Sequence, residues 1–156
     1  FLLAAGCAVA LSRLAPRQAM LLLPAYALAG SLGTLVRAPG LDLPWGELAV
    51  VLTLAAAAAG LWWQRLPAGR TAGVLAGAAG FVHGYAYGEA VIGAEATPLL
   101  AYLLGLALLQ CALLGATWLL ANRLASRFAP HRAMVSRTLA GLVGAFAVWS
   151  GVTLLA

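Results

Sequence analysis

Long apolar runs, separated by short polar connections, are the main pattern along this chain. Breaks at arginine, proline and acidic residues divide the chain into six segments, with approximate bounds of 1–14, 17–36, 45–64, 68–92, 97–124 and 133–156. The last five are long enough to cross a hydrocarbon core about 30 Å thick, which takes roughly 20 residues. None alternates polar and apolar residues as a transmembrane β-strand does. The pattern predicts an all-α, polytopic transmembrane helix bundle of about six spans, forming a single domain over residues 1–156.

The chemistry of the segment boundaries is that of helix ends. Thr97 followed by Pro98 is typical of an N-cap and the first helical position. Trp45, after Asp42 and Pro44, is expected at the membrane interface, where tryptophan is enriched. The first segment is shorter than a span, so we expect a truncated first helix whose beginning lies upstream of Phe1; a signal peptide is the alternative, although no basic region precedes the apolar run.

Composition restricts the class of protein. Hydrophobic residues make up 64% of the chain and charged residues only 8%, whereas a soluble domain is about half apolar and one-quarter charged. These values exclude a soluble enzyme and a disordered tail. The basic residues, all arginine, fall singly or in pairs between apolar runs, so they do not form a nucleic-acid-binding patch. Cys7 and Cys111 each lie in an apolar run, which favours small buried side chains over a disulfide.

The arginines are distributed unevenly among the connections between segments. Odd-numbered connections contain eight of them: Arg13, Arg17, Arg65, Arg70, Arg123, Arg127, Arg132 and Arg137. The second connection has Arg37 offset by Asp42 and Glu47, and the fourth has only Glu89 and Glu95. Since cytoplasmic loops are enriched in Lys and Arg, the loops near Arg13, Arg65 and Arg127 are predicted to be cytoplasmic and both termini external.

Six glycines in the fourth segment follow one another at steps of three or four residues. They are Gly69, Gly73, Gly77, Gly80, Gly84 and Gly88. This spacing places them along one side of a helix. A stripe without side chains lets a second helix approach closely, so the sequence predicts a helix-packing seam there.

The ionisable and hydroxyl-bearing side chains of the fourth segment lie beside this glycine stripe. His83 is the only histidine inside a predicted span, and Tyr85, Tyr87 and Glu89 follow it within two turns. Ionisable groups at membrane depth are costly and often mark an ion path. Imidazole and carboxylate together suit Ni²⁺, Co²⁺ or Zn²⁺. His83 and Glu89 are therefore candidate metal ligands, although a histidine that only hydrogen-bonds across the bundle remains an alternative.

Four further polar residues are candidates for the second shell of ligands or for the ion pathway. Tyr85 and Tyr87 could orient the ligands, and Glu95 lies at the same predicted outer side as Glu89. Gln110, midway along the fifth segment, could bridge helices or line the path. Glu89 and Glu95 could also simply be solvated. We expect no tightly bound cofactor.

The segment His83-Gly84-Tyr85-Ala86-Tyr87-Gly88-Glu89 resembles the HupE/UreJ family of nickel and cobalt membrane permeases, and its tyrosines resemble the cyanobacterial branch. The likeness continues through 93–98 into 101–105. The family pattern is His-Gly-x-Ala-His-Gly-x-Glu. Here Tyr87 stands at the second histidine, and the acidic residue is Glu89, one position early. Gln110 stands where the family has a histidine. Of the family's ligands, His83 carries over directly, and Glu89 carries over with a shift of one residue.

The resemblance implies a secondary permease of the bacterial inner membrane. Ni²⁺ or Co²⁺ would be the transported substrate, entering from the outer side near His83. The expected partners are the lipid bilayer and a homo-oligomer or larger membrane complex. The alternative is a non-transporting accessory subunit packed into a larger membrane complex. The chain has no HExxH or GxSxG motif, so we expect no enzymatic activity.

Overall fold

The structure is a computed structural model that describes residues 16–64, 69–127 and 132–155. Five α-helices and one short 3₁₀ turn account for most of these residues, and no β-strand occurs among them. The helices are α1 (Pro16–Arg37), α2 (Gly46–Trp63), α3 (Gly69–Tyr87), α4 (Ala96–Arg127) and α5 (Arg132–Leu155). The 3₁₀ turn, Gly88–Val91, continues directly from α3.

These helices correspond to the second to sixth predicted segments, with boundaries that differ by a few residues. Helix α4 begins at Ala96, so Thr97 lies inside its first turn instead of capping it. The fourth segment ends its α-helix at Tyr87, earlier than predicted, because the chain tightens into the 3₁₀ turn. The first predicted segment, with Cys7 and Arg13, and also Arg65, lies outside the described residues.

Four of the described helices are long and apolar enough to cross a membrane. The candidate spans are Met20–Arg37, Gly46–Trp63, Ala96–Leu120 and Ala133–Leu154. Large apolar side chains stay exposed along them, as lipid-facing residues do; examples are Leu21, Leu28, Leu52, Leu108, Leu142 and Val148. The all-α membrane bundle is therefore confirmed, with four candidate spans; the count of about six remains a prediction.

Helix α1 packs on α3 with almost no side chains between the two backbones. A Cβ atom at Gly84 would overlap the backbone carbonyl of Gly30, and one at Gly80 would overlap that of Tyr26. Thr34 strengthens this contact, because its hydroxyl donates a 2.8 Å hydrogen bond to the Gly84 carbonyl. The predicted glycine seam is thus present in the second half of α3.

The first half of the glycine stripe behaves differently. Cβ atoms added at Gly69, Gly73 or Gly77 would meet nothing within 4 Å among the described residues. The close contact with α1 covers only the part of α3 that begins near Gly80. Within the described part of the chain, the stripe is therefore a close packing seam over half of its length.

Helices α2 and α5 form the second close pair. The Ser136 hydroxyl of α5 donates a 2.6 Å hydrogen bond to the Leu61 carbonyl of α2, and both residues are buried. Helix α4 lies against α1 on the other side of the bundle, where Leu114 packs against Tyr26 and Ala79. Helix α3 thus lies between the α1–α4 side of the bundle and helix α2.

Candidate functional site

His83 lies inside the bundle, on the α3 surface that meets α2. Its side chain is only 5% exposed. Its Nε2 atom is 3.0 Å from the Thr53 hydroxyl of α2. The Thr53 hydroxyl is also 2.7 Å from the Val50 carbonyl of its own helix. The imidazole is therefore held by a hydrogen bond between helices whose residues are far apart in the sequence.

Ala79, His83 and Tyr87 follow one another at one-turn intervals, so they share a face of α3. Ala79 packs near Leu114 of α4. At the other end of this face, the Tyr102 hydroxyl of α4 donates a 3.0 Å hydrogen bond to the Tyr87 carbonyl. The rings of His83 and Tyr87 have centroids 6.5 Å apart. The structure thus brings His83 and Tyr87 together on a face that α4 borders.

Tyr85 holds the loop between α1 and α2. Its hydroxyl donates a 2.7 Å hydrogen bond to the Leu41 carbonyl and accepts one of 2.6 Å from the Leu43 N–H. The Arg37 guanidinium lies over the Tyr85 ring, 5.4 Å from its centroid, and pairs with Asp42 at 2.9 Å. The Tyr85 hydroxyl is therefore occupied with fixing this loop over the end of α3.

The acidic residues gather at the same end of the bundle as this loop. A hydrogen bond of 3.0 Å from the Gly93 N–H to the Ala38 carbonyl joins the α1–α2 and α3–α4 connections. Asp42, Glu47, Glu89 and Glu95 lie in or beside these two connections, and all four are exposed. Glu89 belongs to the 3₁₀ turn after α3, and the Glu95 carbonyl accepts a hydrogen bond in the first turn of α4. Their carboxylates are available to solvent cations.

Gln110 is buried on α4 without a hydrogen-bond partner. Its side chain is 1% exposed, and neither amide atom makes a hydrogen bond within the described part of the chain. A Cβ atom at Gly30 would lie 3.2 Å from its Oε1 and 3.4 Å from the Gly80 carbonyl. Because Gly30 also touches Gly84, the neighbour of His83, the Gln110 amide and the imidazole lie at similar depth.

The described residues contain no group of three or more His, Cys, Asp or Glu side chains that could hold a metal ion. A cation at His83 would therefore also need ligands such as water, backbone carbonyls, hydroxyls or amides. Thr53, the hydrogen-bond partner of His83, is a candidate site residue that the sequence did not indicate. It lies in an apolar, alanine-rich segment that contains no motif. The only signal in the sequence is that Thr53 is a single polar residue within this apolar run.

A family model described as HupE / UreJ protein matches residues 1–154, almost the whole chain. No curated protein and no solved structure matches the chain. The HupE/UreJ family is associated with nickel and cobalt transport or an accessory function, and it is not a known enzyme family. The match agrees with the apolar helix bundle, and it covers the helices that present His83 and Gln110. The chain is therefore a member of the HupE/UreJ family.

Proposed function

We propose that this protein is a secondary permease for Ni²⁺ or Co²⁺ in the bacterial inner membrane, with the ion entering from the outer side near His83. The observation that carries the proposal is the burial of the His83 imidazole between α2 and α3. A buried ionisable group at membrane depth is costly unless function requires it. A neutral imidazole is also a common ligand for these borderline cations.

The distribution of charge supports the proposed direction. All four acidic residues lie at the end of the bundle where the α1–α2 and α3–α4 connections meet. Arg37 at this end is paired with Asp42, so the other three carboxylates give the surface a negative charge that raises the local concentration of cations. The arginine-rich connections lie at the other ends of the helices, which by the positive-inside rule favours a cytoplasmic location for them. Glu89 would then attract the cation or contribute to its coordination before it reaches His83.

Gln110 supports a path that continues into the bundle. A buried amide without a partner costs about 1–3 kcal/mol, and this cost is removed when water or a hydrated cation passes beside it. The amide lies at a depth similar to that of the imidazole, so both could serve one ion in succession. In this proposal His83 and Gln110 line the pathway, Tyr87 borders it, and Tyr85 fixes the loop above it.

The test is nickel uptake in cells that lack other nickel importers. We expect His83→Ala and His83→Gln to reduce the rate of ⁶³Ni²⁺ uptake at least tenfold at equal protein level, because neither side chain supplies the imidazole lone pair. Ser136→Ala is the matched control, since it removes a buried hydrogen bond between α2 and α5 and should leave uptake within about twofold. Unchanged uptake in both His83 variants would refute the assignment.

An accessory subunit of a larger membrane complex is the second candidate function. One observation favours it: a Cβ atom added at Gly69, Gly73 or Gly77 of α3 would meet nothing within 4 Å among the described residues. A glycine stripe of this kind suits the close approach of a helix from another protein. Such a subunit would co-migrate with a large assembly and would not transport nickel when purified alone.

A further inference from the structure

Tyr85 lies where α2 and α3 meet, at the end of the bundle that carries the acidic residues. A Cβ atom at Gly46, the first residue of α2, would be only 3.1 Å from Tyr85 Cε1. Thr53, which contacts His83, lies about 10 Å further along the axis of α2. A cation that moves from the acidic end along the α2–α3 contact therefore reaches Tyr85 before His83.

The loop between α1 and α2 is held on Tyr85 by hydrogen bonds and not by buried side chains. Every residue from 39 to 45 is exposed. The Tyr85 hydroxyl bonds both the Leu41 carbonyl and the Leu43 N–H. The Arg37 guanidinium donates a further hydrogen bond of 3.0 Å to the Leu41 carbonyl. Because a segment with few buried apolar contacts opens at low cost, the closed position of this loop depends on these few hydrogen bonds.

We propose that the α1–α2 loop, residues 38–45, is the gate through which the transported cation enters, and that the Tyr85 hydroxyl is the latch that keeps the gate closed. The His83 side chain is only 5% exposed, so the gate is closed in this structure. Entry requires that the loop leaves Tyr85 and that the tyrosine ring moves away from Gly46. The part concerning transport rests on the proposed permease function, whereas the part concerning the latch rests on the contacts of Tyr85.

The first measurement is the rate at which a small, charged methanethiosulfonate reagent modifies a cysteine beneath the loop. Gly46, Val50 and Thr53 follow one another at one-turn intervals on α2, so Val50→Cys places the thiol deeper than the Tyr85 contact. The two native cysteines are replaced by alanine. Tyr85→Phe removes the hydroxyl and keeps the ring, and it should raise the modification rate about tenfold, because the loop loses two hydrogen bonds.

Tyr102→Phe is the matched control. The Tyr102 hydroxyl also donates a hydrogen bond at this end of the bundle, to the Tyr87 carbonyl at 3.0 Å, but this bond joins α4 to α3. This variant should leave the rate at Val50→Cys within about twofold. Leu114→Cys reports on loosening elsewhere in the bundle, and Tyr85→Phe should not change its rate. An unchanged rate at Val50→Cys, or equal increases at both thiols, would overturn the latch.

The second measurement closes the gate covalently and follows nickel uptake in cells that lack other importers. Tyr85→Cys and Leu43→Cys, in the same background, place one thiol on α3 and one in the loop. Since the Leu43 N–H lies 2.6 Å from the Tyr85 hydroxyl, the thiols are about one tyrosine side chain apart, which a butane-bridged bis-methanethiosulfonate can span. We expect cross-linking to reduce ⁶³Ni²⁺ uptake about tenfold or more, and reduction of the bridge followed by washing to restore it.

The control for bulk is the same double-cysteine protein treated with propyl methanethiosulfonate, which adds side chains without a bridge. It should transport at least tenfold faster than the cross-linked protein. Equal uptake after the two treatments would refute the gate while leaving the permease function intact. If the unsubstituted protein takes up no nickel at all, the proposed permease function fails, while the thiol rates still decide whether Tyr85 holds the loop closed.

Discussion

A buried amide and a buried imidazole lie at similar depths in this bundle, but they differ in their hydrogen bonds. His83 is held by Thr53, whereas neither amide atom of Gln110 has a partner within the described residues. A polar group that its own protein leaves without a partner is stabilised by water. The two side chains therefore differ: the imidazole is held by a hydrogen bond, whereas the amide would need water as its partner.

The hydration of Gln110 can be tested with cysteine chemistry. In a protein with Cys7 and Cys111 replaced by alanine, we expect Gln110→Cys to react with a small, charged methanethiosulfonate reagent, because the reagent attacks a thiolate and thiolates need water. Ni²⁺ should slow the reaction. Leu114→Cys, one turn away on α4 and packed against Tyr26, is the control and should react at least tenfold more slowly. Equal rates would argue against a hydrated path.

Individual site residues were predictable from the sequence to different degrees. His83 could be identified because a histidine is conspicuous in an apolar run. Thr53 could not, because its contact depends on how α2 is rotated against α3, and no local pattern encodes that rotation. The hydrogen bonds of the Tyr85 hydroxyl with the backbone of Leu41 and Leu43 were likewise not predictable; that Tyr85 orients a ligand stays a prediction.

At the scale of the helices, only the second half of α3 makes a close backbone contact with a described helix. The sequence predicted the helix itself, although α3 is not among the four candidate spans of the described residues. It predicted one continuous glycine seam, whereas close contact with α1 begins near Gly80. Residue spacing gives the face of a helix, but the crossing angle of two helices also depends on their partners, so the extent of the seam was not predictable.

The two halves of α3 should respond oppositely to alanine. Gly84→Ala places a Cβ against the Gly30 backbone, and we expect it to lower the free energy of unfolding by about 1–3 kcal/mol, as overpacking does. Gly77→Ala meets nothing within 4 Å among the described residues. It should be neutral or stabilise the protein by up to about 1 kcal/mol through helix propensity. Unfolding in mixed detergent micelles measures the change in the free energy of unfolding for both variants. Equal losses of stability in the two variants would contradict a close packing seam that begins near Gly80.

At the scale of the whole molecule, the charges are separated along the bundle. The acidic residues lie at one end, and Arg37 at that end is paired with Asp42. The remaining arginines lie in or near the other connections. The chain contains no phosphate-binding GxxxxGK[ST] motif. A permease built in this way would take its driving force from the membrane potential or from a partner protein.

Purified protein in liposomes tests this driving force and the accessory-subunit alternative together. For a divalent cation, 100 mV inside-negative is worth about 4.6 kcal/mol, or roughly a thousandfold ratio at equilibrium. We therefore expect a potassium diffusion potential to increase ⁶³Ni²⁺ accumulation strongly, and His83→Ala to abolish it. Protein that is folded but inactive, and that co-purifies with a large assembly from cells, would favour the accessory subunit.

The backbone contact between α1 and α3 has a mechanical consequence. Two helices that touch at Gly30 and Gly84 leave little room to slide, so they are expected to move as one rigid unit. Helix α2 is paired with α5 instead. A movement of the α2–α5 pair against the α1–α3 pair would therefore break the Thr53–His83 hydrogen bond, which joins α2 to α3.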